Sequence, residues 1–291
     1  MRFIPILFAA GILFAAPPPQ GVKYAGAETC KLCHEEIYGT FRKTPHAVLA
    51  NKACESCHGS GVKHADSVSP ADIVNPGKLS SEKFNQACLV CHANRKTPQG
   101  RIVSGHASNQ IACSSCHSVH GADGKPLVAR RNAEINSQCA GCHISVWAAF
   151  QKPYKHRLPE AAMSCVDCHN PHSSSQPQAM RASFANEPGC FRCHGDKRGP
   201  FTFEHAPVRM EGCGSCHEPH GSANPRMLTR HEVKFTCLEC HANKPVPANN
   251  PQGNLGSVPP AFHDLRSPRY QNCTVCHNKV HGSYVNRAFL R

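Results

Sequence analysis

The chain has 291 residues, 20 of them cysteine and 21 histidine, and a formal charge of +13. Aromatic residues make up only 7% and the mean hydropathy is −0.42, which excludes a polytopic membrane protein and leaves too little apolar surface for a conventionally packed globule. The basic balance, with a pI near 9.0, would ordinarily raise nucleic-acid binding, but the cysteines supply a nearer explanation.

Residues 1–20 read as a secretory signal. Arg2 gives a positive start, Phe3 to Phe14 is a short apolar run broken by Pro5 and Gly11, and Ala15 and Ala16 offer small residues for cleavage before Pro17, Pro18 and Pro19. The run is too short to span a bilayer. Export is therefore expected, and the mature chain, residues 21–291, is expected to be one elongated domain in the periplasm.

From there the sequence is a repeat, five times over. The first copy, residues 30–64, has Cys30, Cys33 and His34, then His46, then Cys54, Cys57 and His58, then His64. The second, 88–120, has Cys88, Cys91 and His92, then His106, then Cys113, Cys116 and His117, then His120. The third, 139–172, has Cys139, Cys142 and His143, then His156, then Cys165, Cys168 and His169, then His172. The fourth, 190–220, has Cys190, Cys193 and His194, then His205, then Cys213, Cys216 and His217, then His220. The fifth, 237–281, has Cys237, Cys240 and His241, then His263, then Cys273, Cys276 and His277, then His281. Successive copies begin 58, 51, 51 and 47 residues apart, which marks duplication of a two-motif module.

All the cysteines thus fall in ten C-x-x-C-H motifs, the attachment signature of c-type haem. On a helical turn, residues i and i+3 share a face. Both sulfurs can then reach the vinyl groups of one porphyrin, and the histidine at i+4 offers a nitrogen to the iron. Zinc sites, redox dithiols and disulfide scaffolds also use paired cysteines, but none of them requires a histidine directly after every pair. Ten covalently bound haems on this chain leave roughly 29 residues for each, so the fold class expected is a multihaem cytochrome c, mostly irregular coil with short α-helices wrapped around an elongated array of haems, with little or no β-structure. Each haem adds two propionates against one ferric charge. The lysines and arginines are most simply read as solvating them, and no nucleic-acid partner is expected.

Every motif leaves the far side of its iron open. His46, His64, His106, His120, His156, His172, His205, His220, His263 and His281 recur at equivalent places and are the candidate distal ligands. In C-H-S-V-H, C-H-N-P-H and C-H-E-P-H the last histidine cannot reach round its own porphyrin and must serve a neighbouring haem. His231 has no counterpart in other repeats and reads as a surface histidine, or as a substitute for His263. Met163, Met180, Met210 and Met227 are irregularly placed and are not needed as ligands. Trp147 is expected to pack against a porphyrin. Short helices are expected over Glu35 to Arg42 and Ser145 to Lys152. Gly59 to Asn85 and the Pro-rich Lys244 to Pro260 read as loops.

The blocks C-F-R-C-H-G-D-K-R-G-P-F-T-F-E-H-A-P-V (Cys190 to Val208) and C-G-S-C-H-E-P-H-G-S (Cys213 to Ser222) closely resemble the decahaem c-type cytochromes of the MtrA/DmsE family. So do T-P-H-A (Thr44 to Ala47), C-E-S-C-H-G (Cys54 to Gly59), G-H-A-S (Gly105 to Ser108) and S-C-V-D-C-H-N-P-H (Ser164 to His172). The last segment, with its insertion, matches least. The resemblance implies a periplasmic bis-histidine haem wire that passes electrons across or towards the outer membrane. Its implied partners are redox proteins: an outer-membrane β-barrel and an extracellular cytochrome or reductase. A free periplasmic shuttle fits the spacing equally. A nitrite- or hydroxylamine-type reductase would need an open haem, which the supply of histidines argues against, so no enzyme is expected. A subunit of a haem filament would share the wiring chemistry.

Overall fold

The computed structural model describes residues 22–93, 104–121, 132–174, 176–183, 187–241 and 268–290. The signal at 1–20, the insertion Lys244 to Pro260 and His263 lie outside them. The chain divides into two compact units, Met1–Ala87 with Ser118–Leu127, and Cys88–His117 with Val128–Arg291.

Within each unit the fold is coil punctuated by short helices, as the motif density requires. In nine motifs the histidine N–H donates to the carbonyl of the first cysteine at 2.9–3.0 Å, closing a single helical turn. The tenth, Cys88 to His92, lies inside α5. The helices are α1 (Ala27–Lys31), α2 (Glu35–Phe41), α3 (Glu55–His58), α4 (Val62–Ser67), α5 (Ser81–His92) and α6 (Gly105–Ser108). They continue with α7 (Asn132–Ala140), α8 (Ile144–Ala149), α9 (Cys165–Cys168), α10 (Ala206–Met210), α11 (Val233–Leu238) and α12 (Cys273–Cys276). The expected helices after the first motifs are α2 and α8. Glu35 and Glu36 sit in the first turn of α2, where they favour the helix dipole. In the fourth repeat the corresponding segment stops after a 3-10 turn, Gly195–Lys197, ahead of Gly199 and Pro200. Among the described residues no helix is long and apolar enough to cross a membrane.

Gly59 to Asn85 is more ordered than its composition implies. It contains α4, two 3-10 turns at Pro70–Asp72 and Pro76–Lys78, and the start of α5. Its prolines begin helical turns instead of breaking them. Ser69 and Asn75 cap the two turns by accepting from the N–H groups of Ala71 and Gly77, and proline is well placed at a first helical position.

Among the described residues the buried apolar side chains are Ala27, Ala53, Phe150, Leu158 and Phe191, fewer than the seven buried polar ones. Protein–protein apolar burial is therefore a minor source of cohesion. Backbone joinery between successive repeats takes its place. Tyr154, two residues before His156, forms an antiparallel bridge with Ser222, two residues after His220. One repeat on, the same register makes the two-residue strands β1 (Phe203–Glu204) and β2 (Gly282–Ser283), with Phe203 opposite Ser283 and Glu204 opposite Gly282. This is the only sheet among the described residues.

The glycines after the tail histidines permit this approach. Gly221 has φ +136°, and a Cβ there would meet the Ala149 carbonyl at 2.2 Å. Gly121, equally placed after His120, lies against Thr40 at the end of α2. Gly221→Ala should lower the melting temperature by several degrees, from a cost of ~2 kcal/mol at roughly 2–4 °C per kcal/mol. Gly39→Ala is the control: it lies within α2 with nothing within 4 Å of the new Cβ, and should raise stability by about 0.5–1 kcal/mol. Thermal melts of the holoproteins read both.

Candidate functional site

Ring pairing gives the site its geometry. Eight motif histidines face a spare histidine: His34 with His64, His58 with His120, His106 with His143, and His117 with His172. The others are His156 with His194, His169 with His220, His205 with His241, and His217 with His281. Ring centroids lie 5.6–6.3 Å apart. A metal–imidazole bond is about 2 Å, so two imidazoles on opposite sides of one ion hold their nitrogens about 4 Å and their ring centres about 6 Å apart. The tightest pair, His117 and His172, has its Nε2 atoms 3.4 Å apart. The donor set and spacing fit a haem, whose iron the two imidazoles of a pair would hold and whose porphyrin the cysteines of the same turn would anchor.

No described pair joins a tail histidine to its own motif three or four residues away. His120, His172, His220 and His281 each face the second motif of the preceding repeat. His106, His156 and His205 each face the first motif of the following repeat. His64 alone turns back within its own repeat, to His34. It sits six residues past its motif and rides on α4, which supplies the reach that a three-residue tie lacks. His46 lies half-buried in the 3-10 segment Pro45–Lys52.

Imidazole orientation is fixed by carbonyls. In the second motifs Nδ1 hydrogen-bonds a backbone oxygen: His58 to Val74, His169 to Gln178 and His217 to Arg226, each at 2.9 Å, and His277 to Ala288 at 2.5 Å. Among the spare histidines, His64 pairs with Ser69 O and His156 with Pro219 O. Nδ1–H donation to a carbonyl leaves Nε2 as the basic nitrogen. Burial, aided by the facing imidazole, pushes His120, His172 and His220 below the usual histidine range. That favours the neutral, ligating form.

Sequence reading missed the carbonyl turns. Gln178 and Ala179, with φ 51° and 54°, and Arg226 and Met227, with φ 59° and 57°, are left-handed without being glycine. Such residues cost about 1–2 kcal/mol each, and the same strain at the same offset marks the turn as positional. Its signal was present: Q-P-Q-A-M and N-P-R-M-L place a proline eight residues after His169 and His217.

From Cys116 to Cys273 the motifs of the second unit adjoin in chain order. Gln138, one residue before Cys139, donates to the Cys116 carbonyl at 2.9 Å. Cys139 contacts Cys165, Cys190 contacts Cys213 and Cys237 contacts Cys273. Between repeats, Cys168 lies within electrostatic reach of Cys190 and Cys193, and Cys216 of Cys240. In the first unit Cys30 contacts Cys54.

Other singled-out residues fall outside these pairs. His231 is exposed and lies beside Glu232 and Phe235. Met210 is exposed. Trp147 contacts Phe150, whose ring meets His220 edge-on. Glu187 accepts from Arg198 at 2.6 Å and Arg209 at 3.1 Å, and Arg209 also holds Glu204, the neighbour of His205, at 3.0 Å. Burial pushes the Glu187 carboxyl up, but the two guanidiniums outweigh it and hold the group below its usual range. A depressed carboxyl stabilises the fold above its unfolded pKa of about 4.3 and loses that contribution as pH falls through the folded value. Glu187→Gln should therefore melt lower than the parent at neutral pH, and the two melting curves should converge below about pH 4. Melts from pH 7 to 3 test this.

A doubled CXXCH motif family matches residues 158–199 and 205–246, and a family described as cytochrome c-type protein NrfB-like matches residues 54–133. The multihaem cytochrome MtrA of Shewanella baltica (strain OS185) is 37% identical over 270 residues, covering 89% of this chain and 78% of its own length.

Proposed function

The chain belongs to the multihaem c-type cytochromes, with MtrA among its relatives, and from that premise we propose that it carries ten covalently bound haems, each closed by two histidines, and conducts electrons along them. The observation that carries this reading is the chain-order adjacency of the motifs from Cys116 to Cys273, crossed at each repeat boundary by histidines reaching forward and back. Haem iron supplies reversible one-electron exchange when bound. The chain's part is to hold neighbouring sites close, to close both axial positions against substrate and water, and to fix each ligating nitrogen through its Nδ1 partner. A closed site has no place for a substrate, so the protein is read as a conduit and not as an enzyme.

The signal-like residues 1–20 and the resemblance to the decahaem MtrA/DmsE type support a periplasmic location, docked in an outer-membrane β-barrel. There the protein would exchange electrons with an extracellular cytochrome or reductase. Fractionation should find it with the outer membrane; full release with the periplasmic contents would make it a free shuttle.

Intact mass should exceed the mature polypeptide by ten haem masses, and a smaller increment would overturn the tally. The oxidised protein should give low-spin EPR signals of two classes. The planes of His34–His64, His58–His120, His117–His172, His205–His241 and His217–His281 lie within 20° of parallel, whereas those of His106–His143 and His156–His194 cross at 54° and 64°. The two arrangements split the iron d orbitals differently. A large high-spin signal would sink the closed-site reading. His156→Met should move one haem, that of Cys190 to His194, to higher potential and leave the others near their original values.

A further inference from the structure

We propose that Glu55 is a potential-setting residue: its buried carboxylate lowers the reduction potentials of the two haems of the first repeat. Glu55 is the second residue of the Cys54 to His58 motif and is only 4% exposed. Its oxygens accept from the backbone N–H groups of Ala25 at 2.8 Å, Gly26 at 2.9 Å and Gly61 at 2.7 Å. Gly26 caps α1, which carries Cys30, and Gly61 caps α4, which carries His64. One carboxylate thus clasps both motifs of the repeat and the helix of the distal ligand.

Among the described residues, none of the ion pairs includes Glu55. Its charge is met by amide dipoles and not by a cation. A charge shielded from solvent acts through a low effective dielectric and is little screened by salt. Reduction removes one positive charge from the iron, so a fixed anion nearby opposes it.

The third repeat performs the same clasp with a neutral residue. Asn136, 1% exposed, donates from Nδ2 to the carbonyls of Leu158 and Met163, each at 2.9 Å, and accepts the Cys165 N–H at 2.9 Å. It too ties the helix of the first motif to the start of the second. A clasp therefore needs no charge, and the carboxylate in the first repeat does something the amide does not. By this reasoning the first haem pair lies lower in potential than the third.

The inference rests on bis-histidine ligation of the first repeat, which EPR of the same samples checks separately. The test uses the holoprotein in a His64→Met background, where the methionine raises one first-repeat haem in potential and resolves it in a redox titration. Glu55→Gln removes the charge and keeps an oxygen acceptor. The resolved haem should become at least tenfold easier to reduce, about 59 mV for one electron, at low and high salt alike. Glu55→Asp keeps the charge on a shorter stem. It should lower the melting temperature and leave that potential in place. An unmoved potential in Glu55→Gln with haem content and low-spin signals intact overturns the proposal. So does an equal upward shift in Glu55→Asp, which would make the effect one of geometry. Should Glu55→Gln fail to take up its haems, the Glu55→Asp potential decides by the same criterion.

Discussion

A C-x-x-C-H turn can present only one imidazole, and the ring pairs that bring a second one opposite it organise much of the described chain. The turn itself is local and cheap: one backbone hydrogen bond aligns two sulfurs and a ring nitrogen. The opposing ring cannot be local. A histidine three residues on points from the same side, so it is useful only to another site. The ring pairs bear this out, because each of the four closest-spaced tail histidines faces a motif of the preceding repeat.

This constraint turns a string of modules into a continuous object within each unit. The mid-repeat histidine reaches forward to the next first motif, and the tail histidine reaches back to the previous second motif. A repeat boundary such as that between the third and fourth is therefore crossed twice, by His156 to His194 and by His220 to His169. The backbone follows the ligands. The Tyr154–Ser222 bridge and the β1–β2 pair recur at the same offsets from these histidines. The first repeat departs from this pattern. Its tail histidine lies further from its motif, on a helix of its own, and faces the repeat's own first motif.

Much of this was legible beforehand because the chemistry is carried by residue type and interval. Cysteine pairs at three and histidine at four name the cofactor, and ten regularly placed spare histidines name the candidate ligands, without any structure. The helices after the first motifs, α2 and α8, were equally readable. What stayed hidden was pairing, since an interval of 63 residues between His156 and the Pro219 carbonyl leaves no local trace. The turns behind His169 and His217 were hidden for another reason. Propensity disfavours left-handed Gln178 and Arg226, and only comparison of repeats reveals that the strain is placed. In Gly59 to Asn85 the prolines misled, because proline both ends helices and begins them.

The small apolar interior explains why polar side chains recur as clasps. In a conventional core, apolar burial orders the chain and a buried polar residue is a cost to be offset. Here five described apolar residues are buried, and the fully buried side chain is Asn136. Each clasp closes the segment between the two motifs of a repeat, the stretch that must hold its haem sites at fixed spacing. Asn136 does it with an amide and Glu55 with a carboxylate. In the fifth repeat Lys234, which stands three residues before Cys237 as Asn136 stands before Cys139, donates to Gln271 at 2.9 Å. Asn136 and Lys234 share that position, whereas Glu55 clasps from inside the second motif of its repeat. Hydrogen bonds that tie the two motifs of a repeat are thus made by an amide, an acid and an amine from two different positions, and the charge each brings to the adjoining motifs differs. The two-motif module repeats along the chain, while the residue that clasps it, and the charge that residue carries, changes from repeat to repeat.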